Sequence, residues 1–276
     1  MIHGGRLLIK FITRRELEMG KVKLVDLSQP FGHGTPLWPY FPDVKIERFH
    51  YHAKSGVLTQ WITAPMHCST HADSPIHVLP ANELKGPMYT DELPLENYFG
   101  TGVVVSIPKK KWGVITPEDL EKARPKIEKR DIVIINTGWH HYFGDNVVYF
   151  CHSPGLYKEA GEWFVEKGVK AVGVDQQALD HPLATAIGPH GSGPLRPDVC
   201  EEYKKETGHD VIEDFPLWEP CHKILLGNGI MGWENVGGDL DKVTGKRVTI
   251  AGWPIKWRGG DGSMVRLVAM VEKGDQ

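Results

Sequence analysis

The chain lacks several features that would place it outside ordinary aqueous enzymology. No apolar run approaches the roughly 20 residues needed to span a bilayer, so no membrane segment is expected. Its four cysteines, Cys68, Cys151, Cys200 and Cys221, show no paired spacing. That argues against a disulfide framework and points to a reduced, cytoplasmic setting. Neither sign of charge dominates: 32 Lys and Arg stand against 35 Asp and Glu, giving a net charge of −3. The only basic run, Lys109-Lys110-Lys111, reads as a solvated turn, so no nucleic-acid footprint is visible. What is present in quantity is glycine (31) and proline (20), which favours many turns and short strands over a helical bundle.

The 276 residues suffice for one large domain, and no repeat or linker forces a boundary. Residues 1–20 form a short arm with Leu7, Leu8, Ile9, Phe11 and Ile12. Lys10 interrupts the apolar run and Arg14 and Arg15 follow it, which makes a poor signal peptide; the arm is a candidate for packing on a neighbouring subunit, with a disordered extension as the alternative. Residues 21–276 are expected to be the folded domain. Strands are expected at KVKLVDLSQP (21–30), VKIERFHYH (44–52), GTGVVVSIP (100–108), DIVIINTG (131–138) and VKAVGVD (169–175). Thr116-Pro117-Glu118-Asp119 carries the signals of a helix start, with the helix running towards Lys126. A second helix, SPGLYKEAGEWFVEKG, stops at Gly168. Strand, helix, strand, helix, strand predicts an α/β fold with a partly parallel sheet. Further strands are expected at 246–257 and 263–273, and His222 opens a strand-like run. The segment 181–221 is long for a connection inside a compact domain, which is typical of a lid or substrate loop.

One stretch, MHCSTHADSPIHV (66–78), concentrates chemistry: His67, His71, Asp73 and His77 fall within eleven residues. Imidazole and carboxylate are ligands that Zn²⁺ and Mn²⁺ accept. In a straight strand His67 and His71 would lie about 13 Å apart, too far for one ion. On a single turn they approach to about 6 Å, so a turn or bend is expected before Asp73. Without metal, the same residues would make an Asp–His hydrogen-bonded loop. Farther along, His222 and Glu234 flank a Gly-rich turn, and by themselves they read as a strand-terminal histidine and a helix cap. Trp38, Tyr40, Phe41, Trp61 and Trp139 offer aromatic surface, and Trp38 in its Pro-rich loop is the strongest candidate for a pocket wall.

HCSTHADSPIH (67–77) resembles the H-x-G-T-H-x-D-x-P-x-H signature of the metal-dependent cyclase family, which includes bacterial kynurenine formamidase and isatin hydrolase. VDLSQP, TPLWP, NTGW and PGLYKEAGEWFVEKGVKAVGVD resemble further family segments in the same order, and His222 and Glu234 share the family's twelve-residue separation. The likeness runs from residue 24 to about 237. Ser69 stands where the family has Gly, and the 180–222 segment, with His181, His190, Arg196 and His209, is longer than its counterpart in compact formamidases. Each of those four is more often a surface residue than a ligand.

The resemblance implies a single α/β domain with a mixed, barrel-like β-sheet core and flanking helices, the swivelling β/β/α fold, assembled as a homodimer or homotetramer. It also implies one or two divalent ions, Zn or Mn, per subunit. His67, His71 and Asp73 would be ligands, Asp73, His222 and Glu234 would complete a second position, and His77 would be the general acid/base. Trp38, Trp61 and Trp139 would contact an aromatic or cyclic small-molecule substrate. The implied reaction is hydrolysis of a C–N amide bond, in an N-formyl aryl amide or a small cyclic amide, by metal-activated water. The same machinery suits a lactone or ester, and the family name also covers a metal-dependent dehydratase or cyclase. A binding protein that kept the fold without turnover is the remaining alternative.

Overall fold

The computed structural model describes residues 22–272, so the expected N-terminal arm lies outside the described residues. Among the described residues eleven strands form in chain order. They are β1 (Val22–Asp26), β2 (Lys45–His50), β3 (Thr59–Thr63), β4 (His71–Asp73), β5 (Phe99–Ser106), β6 (Ile132–Asn136), β7 (Ala171–Val174), β8 (Met231–Glu234), β9 (Lys246–Ala251), β10 (Gly262–Met264) and β11 (Val268–Glu272). Nine of them make one sheet in the order β1-β11-β9-β5-β6-β7-β8-β4-β10. Its centre, β5 to β8, is parallel, and every other pairing is antiparallel. The mixed α/β architecture expected from the alternation of strands and helices is therefore present.

The central stretches of the parallel strands, Val103–Val105, Ile132–Ile135 and Ala171–Val174, are apolar because both faces are covered there. Successive side chains alternate, so Val104, Ile132 and Ile134 join one core cluster with Trp233, Ile250 and Leu267. Val103, Val105, Val133 and Ile135 join the opposite one, against Phe164 of helix Lys158–Lys167 and Leu225 of helix Pro220–Gly227. The first face is closed by the sheet itself. Only three residues connect β10 to β11, a reach of about 14 Å. In a flat sheet those strands, seven positions apart, would be separated by about 34 Å. The sheet must curl, and it does, forming the barrel-like core.

Four local expectations need correction. The run from His222 is a helix, because Pro220 occupies its first turn and His222, Leu225 and Leu226 fall on one buried face at helical spacing. The helix capped by Thr116 keeps its expected start, with a reciprocal Thr116–Asp119 capping box, but ends at Lys122. Pro125 disfavours helical backbone at the residue before it. The stretch 263–273 divides into β10 and β11, which lie on distant strands of the sheet order and meet only through the curl. VKIERFHYH does form β2, yet it pairs only with β3 and stays largely exposed rather than half-buried.

The segment from Asp180 to His222 contains helices Pro197–Thr207 and Val211–Asp214. Leu183, Ile187, Val199, Tyr203 and Phe215 pack with Tyr149 and Tyr157 in a third apolar cluster beside the sheet. No described helix is long and apolar enough to cross a membrane.

Candidate functional site

The site is assembled at β4, which lies between β8 and β10. His71 and Asp73 are two residues apart on a strand, so both project to the same face. The antiparallel register sets His71 directly opposite Glu234 of β8. His67 reaches them from a bend rather than a helical turn. Ser69 takes a left-handed conformation there (φ 53°), and its hydroxyl donates to the Gln29 carbonyl at 3.0 Å. This conformation favours glycine, which accounts for Gly in the related signature. His222, in the first turn of helix Pro220–Gly227, completes the group from the opposite side.

The separations are short. His67 Nδ1 lies 2.9 Å from Asp73 Oδ1, and His71 Nε2 lies 3.4 Å from that same oxygen and 3.3 Å from Glu234 Oε2. His222 Nε2 lies 2.8 Å from Glu234 Oε1 and 3.7 Å from Asp73 Oδ2. Two triads result, His67–His71–Asp73 and Asp73–His222–Glu234, each with ligand atoms within 4.8 Å of one another and with Asp73 shared. Apart from His67, which is slightly exposed, all are buried. Buried polar groups are ordinarily paired, yet His71 Nε2 and Asp73 Oδ2 have no hydrogen-bond partner. Two unpartnered ligand atoms within one buried His/Asp/Glu cluster fit a bound divalent ion.

The electrostatics agree. Burial alone would lower the basicity of His71, but the adjoining Asp73 and Glu234 carboxylates carry it up to about 10. Burial likewise opposes protonation of His222, and its contacts with Asp180, Asp73 and Glu234 raise it well above the usual imidazole range. Burial would raise Asp73, yet His222, His67 and His71 hold it well below the usual carboxylate range. Two buried carboxylates thus require compensating positive charge, which either protons on the imidazoles or a dication supplies.

A cavity of about 230 Å³ opens beside the cluster. His67, His71, His77, His222 and Glu234 form its polar wall, with Trp38, Phe41, Pro36 and Phe150 as its apolar wall. His77 sits on the short turn Pro75–His77 and stacks on His67 with ring centroids 3.9 Å apart. Of the three tryptophans expected to meet substrate, only Trp38 lines this cavity. Trp61 projects from β3 and is 63% exposed, because its hairpin has no covering layer. Trp139 is buried in the third apolar cluster, where its indole N–H donates to the Tyr149 carbonyl at 3.2 Å. Tyr40 faces solvent. His181, His190, Arg196 and His209 also stay off the cavity wall: the first two are buried, Arg196 pairs with Asp198, and His209 pairs with Asp214.

Three carboxylates were not singled out in the sequence. Asp180 accepts the His222 Nδ1–H at 2.6 Å. Asp261, at the start of the β10 approach, lies 3.0 Å from His67 Nε2 and 3.9 Å from His77 Nδ1. Glu219 stands in left-handed backbone (φ 47°) just before helix Pro220–Gly227 and lines the cavity, where burial pushes its carboxyl up. The only local signal for Glu219 is its place beside Pro220 at a helix start.

Comparison with known proteins agrees with this geometry. An isatin hydrolase from Roseibium aggregatum is 24% identical over 280 aligned positions, covering 94% of this chain and 95% of that protein. A kynurenine formamidase from Erythrobacter litoralis is 26% identical over 169 positions, covering 61% and 72%. In three dimensions the chain matches an isatin hydrolase bound to the product analogue thioisatinate with a TM-score of 0.75 at 21% identity, covering 94% of this chain and 96% of that one. This last likeness is one of fold. The sequence model of the cyclase family matches residues 25–181, more than half of the 276, and the chain is a member of the cyclase family.

Proposed function

We propose that this protein is a metal-dependent hydrolase that opens a C–N amide bond in a small aromatic or cyclic substrate, either an N-formyl aryl amide or a cyclic amide. The observation that carries this is the buried pair of triads sharing Asp73, with His71 Nε2 and Asp73 Oδ2 unpartnered beside a small, partly aromatic cavity. The similarity to an isatin hydrolase over nearly the whole chain, and to a kynurenine formamidase over part of it, supports the amide bond as the target.

His67, His71 and Asp73 would hold one ion, and Asp73, His222 and Glu234 would hold or complete a second position. The all nitrogen and oxygen donor set suits Zn²⁺ or Mn²⁺. When bound, such an ion polarises a carbonyl and lowers the pKa of water towards 7. The chain's own residues supply the rest. Trp38 and Phe41 take the flat face of the substrate and exclude water around it. His77, outside the two triads that share Asp73 and facing the cavity, takes a proton from the attacking water at Nε2 and returns it to the leaving nitrogen. Asp261, hydrogen-bonded to His67, lies 3.9 Å from the other ring nitrogen, Nδ1, and places a carboxylate charge beside it. The 181–221 segment contributes Thr185 and Glu219 to the cavity wall, and we assign substrate choice to it.

We also infer a homo-oligomer in a reducing cytoplasm. The β2–β3 hairpin exposes Phe49, Tyr51, Leu58, Trp61 and Ile62. A lone two-stranded hairpin with this much apolar surface is marginal unless something packs against it. Light scattering on the full chain checks the mass, and Trp61→Glu should shift it towards the monomer.

The deciding experiment joins elemental analysis to a substrate panel of N-formyl aryl amides, isatins, cyclic imides and lactones. Turnover of the amides, lost on chelation and restored by Zn²⁺ or Mn²⁺, is the expected result. A metal-free protein that hydrolyses the panel as well as the loaded one would overturn the mechanism.

A further inference from the structure

Away from the cavity, a second set of metal-ligating side chains converges at the carboxyl end of β6. The strand ends at Asn136, and the short turn Trp139–Tyr142 that follows carries His140 and His141. Asp241 faces them from the turn Leu240–Lys242, between β8 and β9. His140 Nε2 lies 3.5 Å from one Asp241 oxygen, and His141 Nε2 lies 3.2 Å from the other. These separations sit at or beyond the long end of N–H···O hydrogen bonding. They also match the roughly 3.0–3.5 Å between ligand atoms that share one ion at bond lengths of about 2.1 Å.

Support behind the ligands is a second, independent observation. The far nitrogen of His140, Nδ1, faces the buried Asp175 carboxylate at 3.1 Å. Asp175 is itself held by the Thr137 hydroxyl at 2.7 Å and by the Trp139 backbone N–H at 2.8 Å. A carboxylate on one ring nitrogen keeps the proton there and leaves the other lone pair free for a cation, the arrangement found behind metal-ligating histidines. Asp241 is anchored too, since the Asn136 amide donates to its Oδ1 at 2.9 Å. A casual surface His–Asp contact requires neither support. None of these residues lines the cavity described above.

We propose that His140, His141 and Asp241 form a second divalent-cation site, separate from the candidate active site. Two imidazole nitrogens and one carboxylate oxygen select a borderline transition ion such as Zn²⁺, Co²⁺, Ni²⁺ or Cu²⁺ over Mg²⁺ or Ca²⁺. His141 and Asp241 are 62% and 58% exposed at their side chains, so the remaining coordination positions are open to water. A bound ion ties the turn after β6 to the turn before β9.

The test uses the full chain, stripped with a chelator and titrated with Zn²⁺ by calorimetry, as wild type, His141→Ala and Asp241→Asn. Both substituted side chains are exposed, which keeps the core intact. The expected result is one fewer Zn²⁺ equivalent in each variant than in wild type, with amide hydrolysis unchanged. Zn²⁺ should also raise the wild-type Tm further than that of either variant. Equal stoichiometry in all three proteins would overturn the proposal. The difference is read from binding alone, so it stands or falls independently of whether the cavity hydrolyses amides.

Discussion

Asp180 holds His222 twice, accepting its Nδ1–H at 2.6 Å and its backbone N–H at 2.9 Å. This double contact turns Nε2 of His222 towards Asp73 and Glu234. Such outer carboxylates fix the tautomer of a ligating imidazole, and losing one typically weakens metal affinity roughly 10- to 100-fold. Asp180→Asn preserves shape and one side-chain acceptor oxygen but removes the charge. Competition against a chromophoric chelator should register a loss of that size, and an unaltered affinity would remove Asp180 from the site.

His77 faces the cavity outside the two triads that share Asp73, and with His67 and Asp261 it makes a further group of potential ligands. As the proton carrier, His77→Gln should retain the metal of the triads that share Asp73 while kcat falls by roughly 10²–10⁴, the usual contribution of a positioned acid/base. Elemental analysis and steady-state kinetics on the same preparation separate the two effects. Retained turnover would give the proton transfer to another group.

Trp38 is the tryptophan placed on the cavity wall. Aromatic contacts contribute about 0.5–1.5 kcal/mol beyond simple burial, so Trp38→Ala should raise KM for ring-bearing substrates by roughly 3- to 10-fold. Kcat should change much less, because the ion and His77 are untouched. A KM indifferent to this substitution would place the substrate elsewhere.

His181 gives the fold a pH dependence. It is fully buried, stacked on Phe215 at 4.1 Å, and burial pushes its imidazole down to about 3. A histidine in the unfolded chain titrates near 6.5. Below that pH the unfolded state binds a proton that the native state refuses, so stability falls as pH drops from 6.5 towards 3. Linkage sets the slope at about 1.4 kcal/mol per pH unit, or roughly 2 kcal/mol between pH 7 and pH 5. Denaturant unfolding of wild type and His181→Leu at both pH values should show the variant losing less by about that amount. Parallel losses would assign the acid sensitivity to other groups. The raised imidazoles of His71 and His222 act in the opposite direction and cancel in this comparison.

Local chemistry was legible wherever it is local in origin. Thr116 and Pro117 start a helix because capping and a preset φ need no partner from elsewhere in the chain. Val103–Val105, Ile132–Ile135 and Ala171–Val174 are buried strands because an unbroken apolar run between turns has few other outcomes. The run that begins at His222 is expected as a strand and is instead part of helix Pro220–Gly227, since so short a partly apolar segment is compatible with either element until packing decides. The Pro-rich loop around Trp38 marked it as the pocket-wall tryptophan, and it lines the cavity, whereas no such local signal separated Trp61 from Trp139. One lies on an uncovered hairpin and one in the core, and nothing in a tryptophan's neighbours along the chain reports that.

The sequence by itself determined the donor atoms and their spacing: three histidines and an aspartate around a bend, and a distant His–Glu pair twelve residues apart. Only the tertiary structure decided that these form one site. The β4–β8 register places His71 against Glu234, helix Pro220–Gly227 brings His222 over Asp73, and the curl of the sheet carries Asp261 back to His67. Carboxylates such as Asp180 and Asp261 acquire their roles in the same way. Their chemistry depends on which imidazole faces them across the fold, and that proximity is set by sheet order and closure rather than by neighbours in the chain.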